Sequence, residues 1–149
     1  MIWDQINITM EITFHSDKTS KAIGPVELNQ SRSLIRNTLG SDEKGKSKSD
    51  YFRDIDLSVH YDQKGKSIFM EAGKCSGVEL HDISVFDTSF NKLRKHLLTL
   101  DKDLEVSEGG YTVTSYFLGI ALWTNEKTTK PPYTIAIFRK GYYDNVLNN

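Results

Sequence analysis

A single cysteine, Cys75, stands among the 149 residues. No intramolecular disulfide can form from it, and no cysteine-based metal site can be assembled within one chain. That usage fits a cytoplasmic address, and Cys75 is expected as a small buried apolar residue rather than a reactive nucleophile. A basic excess is missing too. With a formal charge of -1, the chain lacks the surplus that drives phosphate-backbone binding, so direct nucleic-acid contact is not expected. Long apolar runs are also absent: the longest, "YFLGIALW" at 116–123, falls far short of the ~20 residues that cross a bilayer. The opening stretch places Asp4 and Glu11 where a signal peptide would carry Lys or Arg ahead of an apolar block, so neither a membrane span nor export is expected.

What is present describes a folded domain. Hydrophobic residues make up 38% and charged residues 26%, too apolar for a disordered chain and too polar for a membrane protein. A chain of this length buries roughly 70% of its unfolded surface, and residues 1–149 are read as a single domain.

The order of elements predicts an α+β fold. Ile6, Ile8, Met10, Ile12 and Phe14 alternate with polar residues, the period of a half-buried strand. After the short extended piece "GPVEL", Ser31 is a fitting N-cap, Leu34, Ile35 and Leu39 share a face, and Gly40 suits a helix C-terminus, so a helix is predicted over 32–39. "IDLSVHYDQKGKSIFME" reads as a hairpin turning at 62–65, with Gly65 supplying a positive φ. In the second half "SGVEL" echoes "GPVEL", and Phe90, Leu93, Leu97 and Leu100 form the stripe of a helix capped near Thr88 or Ser89. "YTVTSYFLGIALW" then reads as one long strand, followed by a loop with Pro131-Pro132 and a last strand. Together these give a mostly antiparallel sheet with two helices packed on one face. The order also divides into two tandem strand-helix-strand-strand units, an internal repeat of 20–73 and 76–140.

"GSDEKGKS" at 40–47 matches the phosphate-loop pattern letter for letter, yet its context is reversed. A phosphate loop leads from a strand into the positive end of a helix. Here a helix ends at the loop and a strand follows it, while Asp42 and Glu43 would repel phosphate. No cofactor is expected. Histidines 15, 60, 81 and 96 fall on separate elements without a metal-binding spacing, and no G-x-S-x-G elbow or opposed carboxylate pair is discernible. The chain is therefore read as a non-enzyme.

Charge is uneven. "DKDLEVSEGG" sets Asp101, Asp103, Glu105 and Glu108 against a single Lys102, with Tyr111 directly after it. These residues are the candidate partner-binding site, because acidic complementarity speeds encounter with a basic protein and Tyr supplies an anchor.

The pattern "GPVELNQSRSLIRNTLG" followed by "YFRDIDLSVHYDQKGKSIFMEAG" resembles small bacterial immunity proteins of polymorphic toxin and contact-dependent growth inhibition systems. The resemblance covers residues 20–140, and the tandem order of helix and hairpin is also similar to the beta-lactamase inhibitory protein fold. It implies a protein that binds a cognate toxin domain, such as a nuclease, and blocks its active site or substrate-docking surface. A small-ligand or sensor domain, with a pocket of Tyr, Trp and Phe between helices and sheet, is the alternative.

Overall fold

The computed structural model describes residues 10–41, 47–107, 109–125 and 127–143. Ile6 and Ile8, the central residues of the phosphate-loop match, and Glu108 lie outside that set. In chain order the elements are β1 (Met10–Phe14), β2 (Ser20–Ile23), β3 (Val26–Glu27), α1 (Arg32–Thr38), β4 (Ser49–Phe52), β5 (Leu57–Tyr61) and β6 (Ser67–Gly73). There follow β7 (Val78–Leu80), β8 (Ile83–Ser84), α2 (Phe90–Leu100), β9 (Glu105–Val106), β10 (Thr112–Ser115), β11 (Ile120–Trp123) and β12 (Thr134–Phe138). Single turns of 3₁₀ helix occupy Arg53–Ile55, Lys74–Ser76 and Val85–Asp87.

The fold is α+β, and its strands divide between two sheets. The smaller has the order β3-β2-β1-β7-β8, the larger β4-β5-β6-β12-β11-β10-β9. All pairings are antiparallel except β1 with β7. Each half of the chain contributes a meander to the large sheet, and the two meet along the antiparallel pair β6 and β12. The echoed strings hold unlike places: Val26 lies on β3 at an edge of the small sheet, whereas Val78 lies on β7 inside it.

Alternation sorts the large sheet into two faces. Val59, Met70, Ile137 and Ile120 are cross-strand neighbours on the inner face. They share one core with Ile12 and Val78 of the small sheet, Ile35 and Leu39 of α1, and Phe90, Leu93 and Leu97 of α2.

Both helices carry their predicted caps. Ser31 accepts from the Leu34 N–H and Ser89 from the Lys92 N–H. At the end of α1 the Gly40 N–H donates to Asn37 O and the Ser41 N–H to Arg36 O, with Gly40 at φ 69°; this is a Schellman closure. The expected stripe of α1 is narrower than its sequence implies, since Leu34 is 47% exposed while Ile35 is fully buried.

The expected long strand at 111–123 is instead a hairpin of β10 and β11. The chain reverses where the Ser115 side chain accepts from the Leu118 N–H and its carbonyl from the Gly119 N–H. Gly119 has φ 72°, and a Cβ there would meet the Phe138 carbonyl oxygen at 2.5 Å. Only glycine meets both demands without strain.

Candidate functional site

The outer face of the large sheet is a surface that neither helix covers. Cross-strand pairing carries one row of side chains over all seven strands: Tyr51, Ser58, Glu71, Ala136, Ala121, Thr114 and Glu105. Residues paired in this way project from the same face. The small residues Ala121 and Ala136 at its centre are buried beneath the larger groups that flank them. On one side His60 meets Phe69 edge-on with ring centroids 5.4 Å apart, and Phe69 packs with Phe138 and Tyr142. Tyr143 stands against Phe138 at 4.8 Å. Trp123 lies on the other side, packed with the same outer cluster. Among the described residues, neither α1 nor α2 contributes to that cluster.

The electrostatics of this face are one-sided. Among its strand residues, Glu71 and Glu105 are the carboxylates, His60 lies 3.5 Å from Glu71, and neither Lys nor Arg appears. Burial raises the Tyr116 phenol above its ordinary value, and the neighbouring Glu105 charge and hydrogen bond push it further the same way. Tyr142 and Tyr143 are likewise raised, chiefly by burial.

The acidic residues singled out in the sequence do not form one surface. Asp101 is 8% exposed. Its carboxylate accepts from the Ser115 hydroxyl at 2.7 Å and from the Asp103 N–H at 2.9 Å, so it ties the end of α2 to β10 rather than facing a partner. Asp103 and Glu105 are exposed, and Glu105 alone of the acids belongs to the outer-face row. Tyr111, also exposed, stands immediately before β10. Glu108 lies outside the described residues.

A second carboxylate, Asp50 on β4, has a matching structural part at the opposite edge. Arg32 and Arg36 of α1 each form an ion pair with it, at 2.7 and 2.8 Å, and the Tyr61 hydroxyl donates to it at 3.0 Å. Burial acts to raise the Asp50 pKa, but the hydrogen bonds from Arg36, Arg32 and Tyr61 outweigh it and hold the carboxyl far below the usual carboxylate range.

Three side chains depart from the sequence reading. Cys75, expected to be buried, is exposed: it sits within the 3₁₀ turn that carries the chain out of β6. His81 and His96, which show no spacing signal, meet with Nδ1 and Nε2 2.9 Å apart. His81 also stacks on Phe14 at 4.8 Å. Among the described residues no group of three or more His, Cys, Asp or Glu stands close enough to hold a metal ion.

Comparison with known proteins returns nothing. No family model, curated protein or solved structure matches the chain. Among the described residues no helix is long and apolar enough to cross a membrane.

Proposed function

We propose that this chain is an immunity protein, which docks the outer face of its large sheet on a cognate bacterial toxin domain and covers that toxin's active site or substrate-docking surface. One observation carries the reading: a seven-stranded face that neither helix covers, with an aromatic cluster packed over its middle, whose central row runs from Tyr51 to Glu105 and bears two carboxylates and neither Lys nor Arg. Such a face suits a cationic protein, and a nuclease built to hold phosphate is one. Trp123, Tyr51 and Tyr116 supply aromatic anchors, the residue types that dominate binding energy at interfaces. Asp103 and Tyr111 extend the same chemistry at the margin formed by β9 and β10.

Co-expression with the product of the adjacent gene tests this reading. The chain is expected to restore growth of cells making that product, and a Glu71→Lys, Glu105→Lys variant is expected to lose the rescue while keeping its fold. Equal growth with and without the chain removes the proposal. A second reading, a small-ligand or sensor domain, is favoured by one feature, an open cleft of about 610 Å3 at one end of the large sheet.

A further inference from the structure

We infer that this cleft binds a small organic anion, one with a phosphate or carboxylate head and an aromatic or apolar body. The inference is independent of toxin docking, because its residues lie at the ends of the strands rather than in the outer-face row. Four segments form the walls: Asp56 just ahead of β5, Gly73 to Cys75 leaving β6, Phe86 in the 3₁₀ turn before α2, and Thr124, Lys127, Lys130 and Tyr133 between β11 and β12. The volume lies within the range typical of small-molecule sites.

Charge sets the class of ligand. Among the described lining residues, Lys74, Lys127 and Lys130 face a single carboxylate, Asp56. None of the three lysines has an ion pair within the described residues. The Asp56 carboxylate is already engaged, accepting from the Tyr51 hydroxyl at 3.0 Å and weakly from the Cys75 N–H at 3.4 Å. Gly73 makes its room, since a Cβ there would overlap the Asp56 oxygens.

Thr124 supplies a separate pointer. It is 7% exposed and lines the cleft, yet its hydroxyl has no hydrogen-bond partner among the described residues. Among the described residues no buried side-chain polar atom lacks a partner, so this hydroxyl is open to solvent and free to donate to an anion in the cleft. Asn125 beside it adds an amide, and Phe86 with Tyr133, 60% exposed, offers apolar walls for a ligand body.

The walls are held before any ligand arrives. Lys130 O accepts from the Phe90 N–H and Thr128 O from the Asn91 N–H, which pins the lysine-bearing loop to the start of α2. The Tyr133 N–H donates to Trp123 O at 2.9 Å and closes the base of the loop, while Pro131 and Pro132 restrict its backbone.

Calorimetric titration of the full chain with phenyl phosphate, benzoate and inorganic phosphate tests the assignment, with alkylation of Cys75 by neutral iodoacetamide as a second readout. Saturable binding of phenyl phosphate or benzoate is expected, stronger than that of inorganic phosphate, with slower alkylation of Cys75 when bound. A Lys127→Gln, Lys130→Gln variant should weaken it about tenfold or more, Thr124→Val should weaken it less, and Lys102→Gln, outside the cleft, should leave it unchanged. Absence of saturable binding by both organic anions, or binding equal in the double variant and the parent, overturns the inference. Failure of toxin neutralisation bears on the outer face and leaves this result standing.

Discussion

The Ser115 hydroxyl donates to Asp101 Oδ2 at 2.7 Å, fastening the C-terminal end of α2 to β10. Replacing Asp101 by Ala leaves that hydroxyl and the Asp103 N–H without their acceptor, at a cost of about 1–3 kcal/mol. Asp103→Ala, on an exposed side chain, should stay within about 0.5 kcal/mol of the parent. Urea unfolding midpoints of the two variants check the contrast, and equal midpoints would deny Asp101 its structural part.

Asp50 predicts an acid limb of the stability curve. Its folded-state pKa is lowered, so its contribution is present above the unfolded value of about 3.9 and is lost as pH falls through the folded value. Asp50→Asn removes the carboxylate charge that Arg32 and Arg36 share and should cost about 1.5–3 kcal/mol at neutral pH. Its stability should also change less between pH 5 and pH 3 than that of the parent, as followed by chemical denaturation at each pH.

His96 acts in a higher window. Burial, with His81 alongside, lowers its pKa in the folded state, so the unfolded chain takes up the proton first. Stability contributed by neutral His96 is therefore present above about pH 6.5 and declines below it. Thermal melts from pH 7.5 to 5 should fall more steeply for the parent than for His96→Gln; parallel slopes would mean that the imidazole contact has no energetic weight.

Gly119 and Gly65 both take a positive φ, but only one is enclosed. A Cβ at Gly65 meets nothing within 4 Å, whereas at Gly119 it strikes the Phe138 carbonyl and the Ser20 hydroxyl. Gly65→Ala should cost about 1 kcal/mol from backbone strain alone, and Gly119→Ala should exceed it by about 1–2 kcal/mol or more. Melting temperatures of the two variants rank them directly.

Much of this architecture is written locally. Ser31, Ser89 and Gly40 mark the helix ends because capping is a matter of a few adjacent residues. The β5–β6 hairpin follows from alternation and Gly65, with the Asp62 carboxylate accepting from the Lys64 and Lys66 N–H groups to fix the turn. The β10–β11 hairpin is concealed because Leu118, Ile120, Ala121 and Leu122 are all buried, so its turn lies inside an apolar run and only Gly119 marks it. The candidate site was legible in fragments. Glu105 was singled out as an acid, but its row depends on the pairing of β6 with β12, which no local pattern encodes. Asp101 misled for the opposite reason: neighbouring acids look alike in sequence, and only the hydroxyl from β10 distinguishes one of them. The meeting of His81 with His96, and the exposure of Cys75, likewise depend on packing between distant segments.

The seam between β6 and β12 bears on how the protein is made. A nascent polypeptide that has reached Gly73 holds the backbone amides and carbonyls of β6 ready on one rim, with their partners still to be synthesised in Thr134–Phe138. Until that last stretch leaves the ribosome, the first meander carries an open border of the kind that recruits other chains, so a premature stop anywhere ahead of Thr134 should yield insoluble material rather than a smaller working protein.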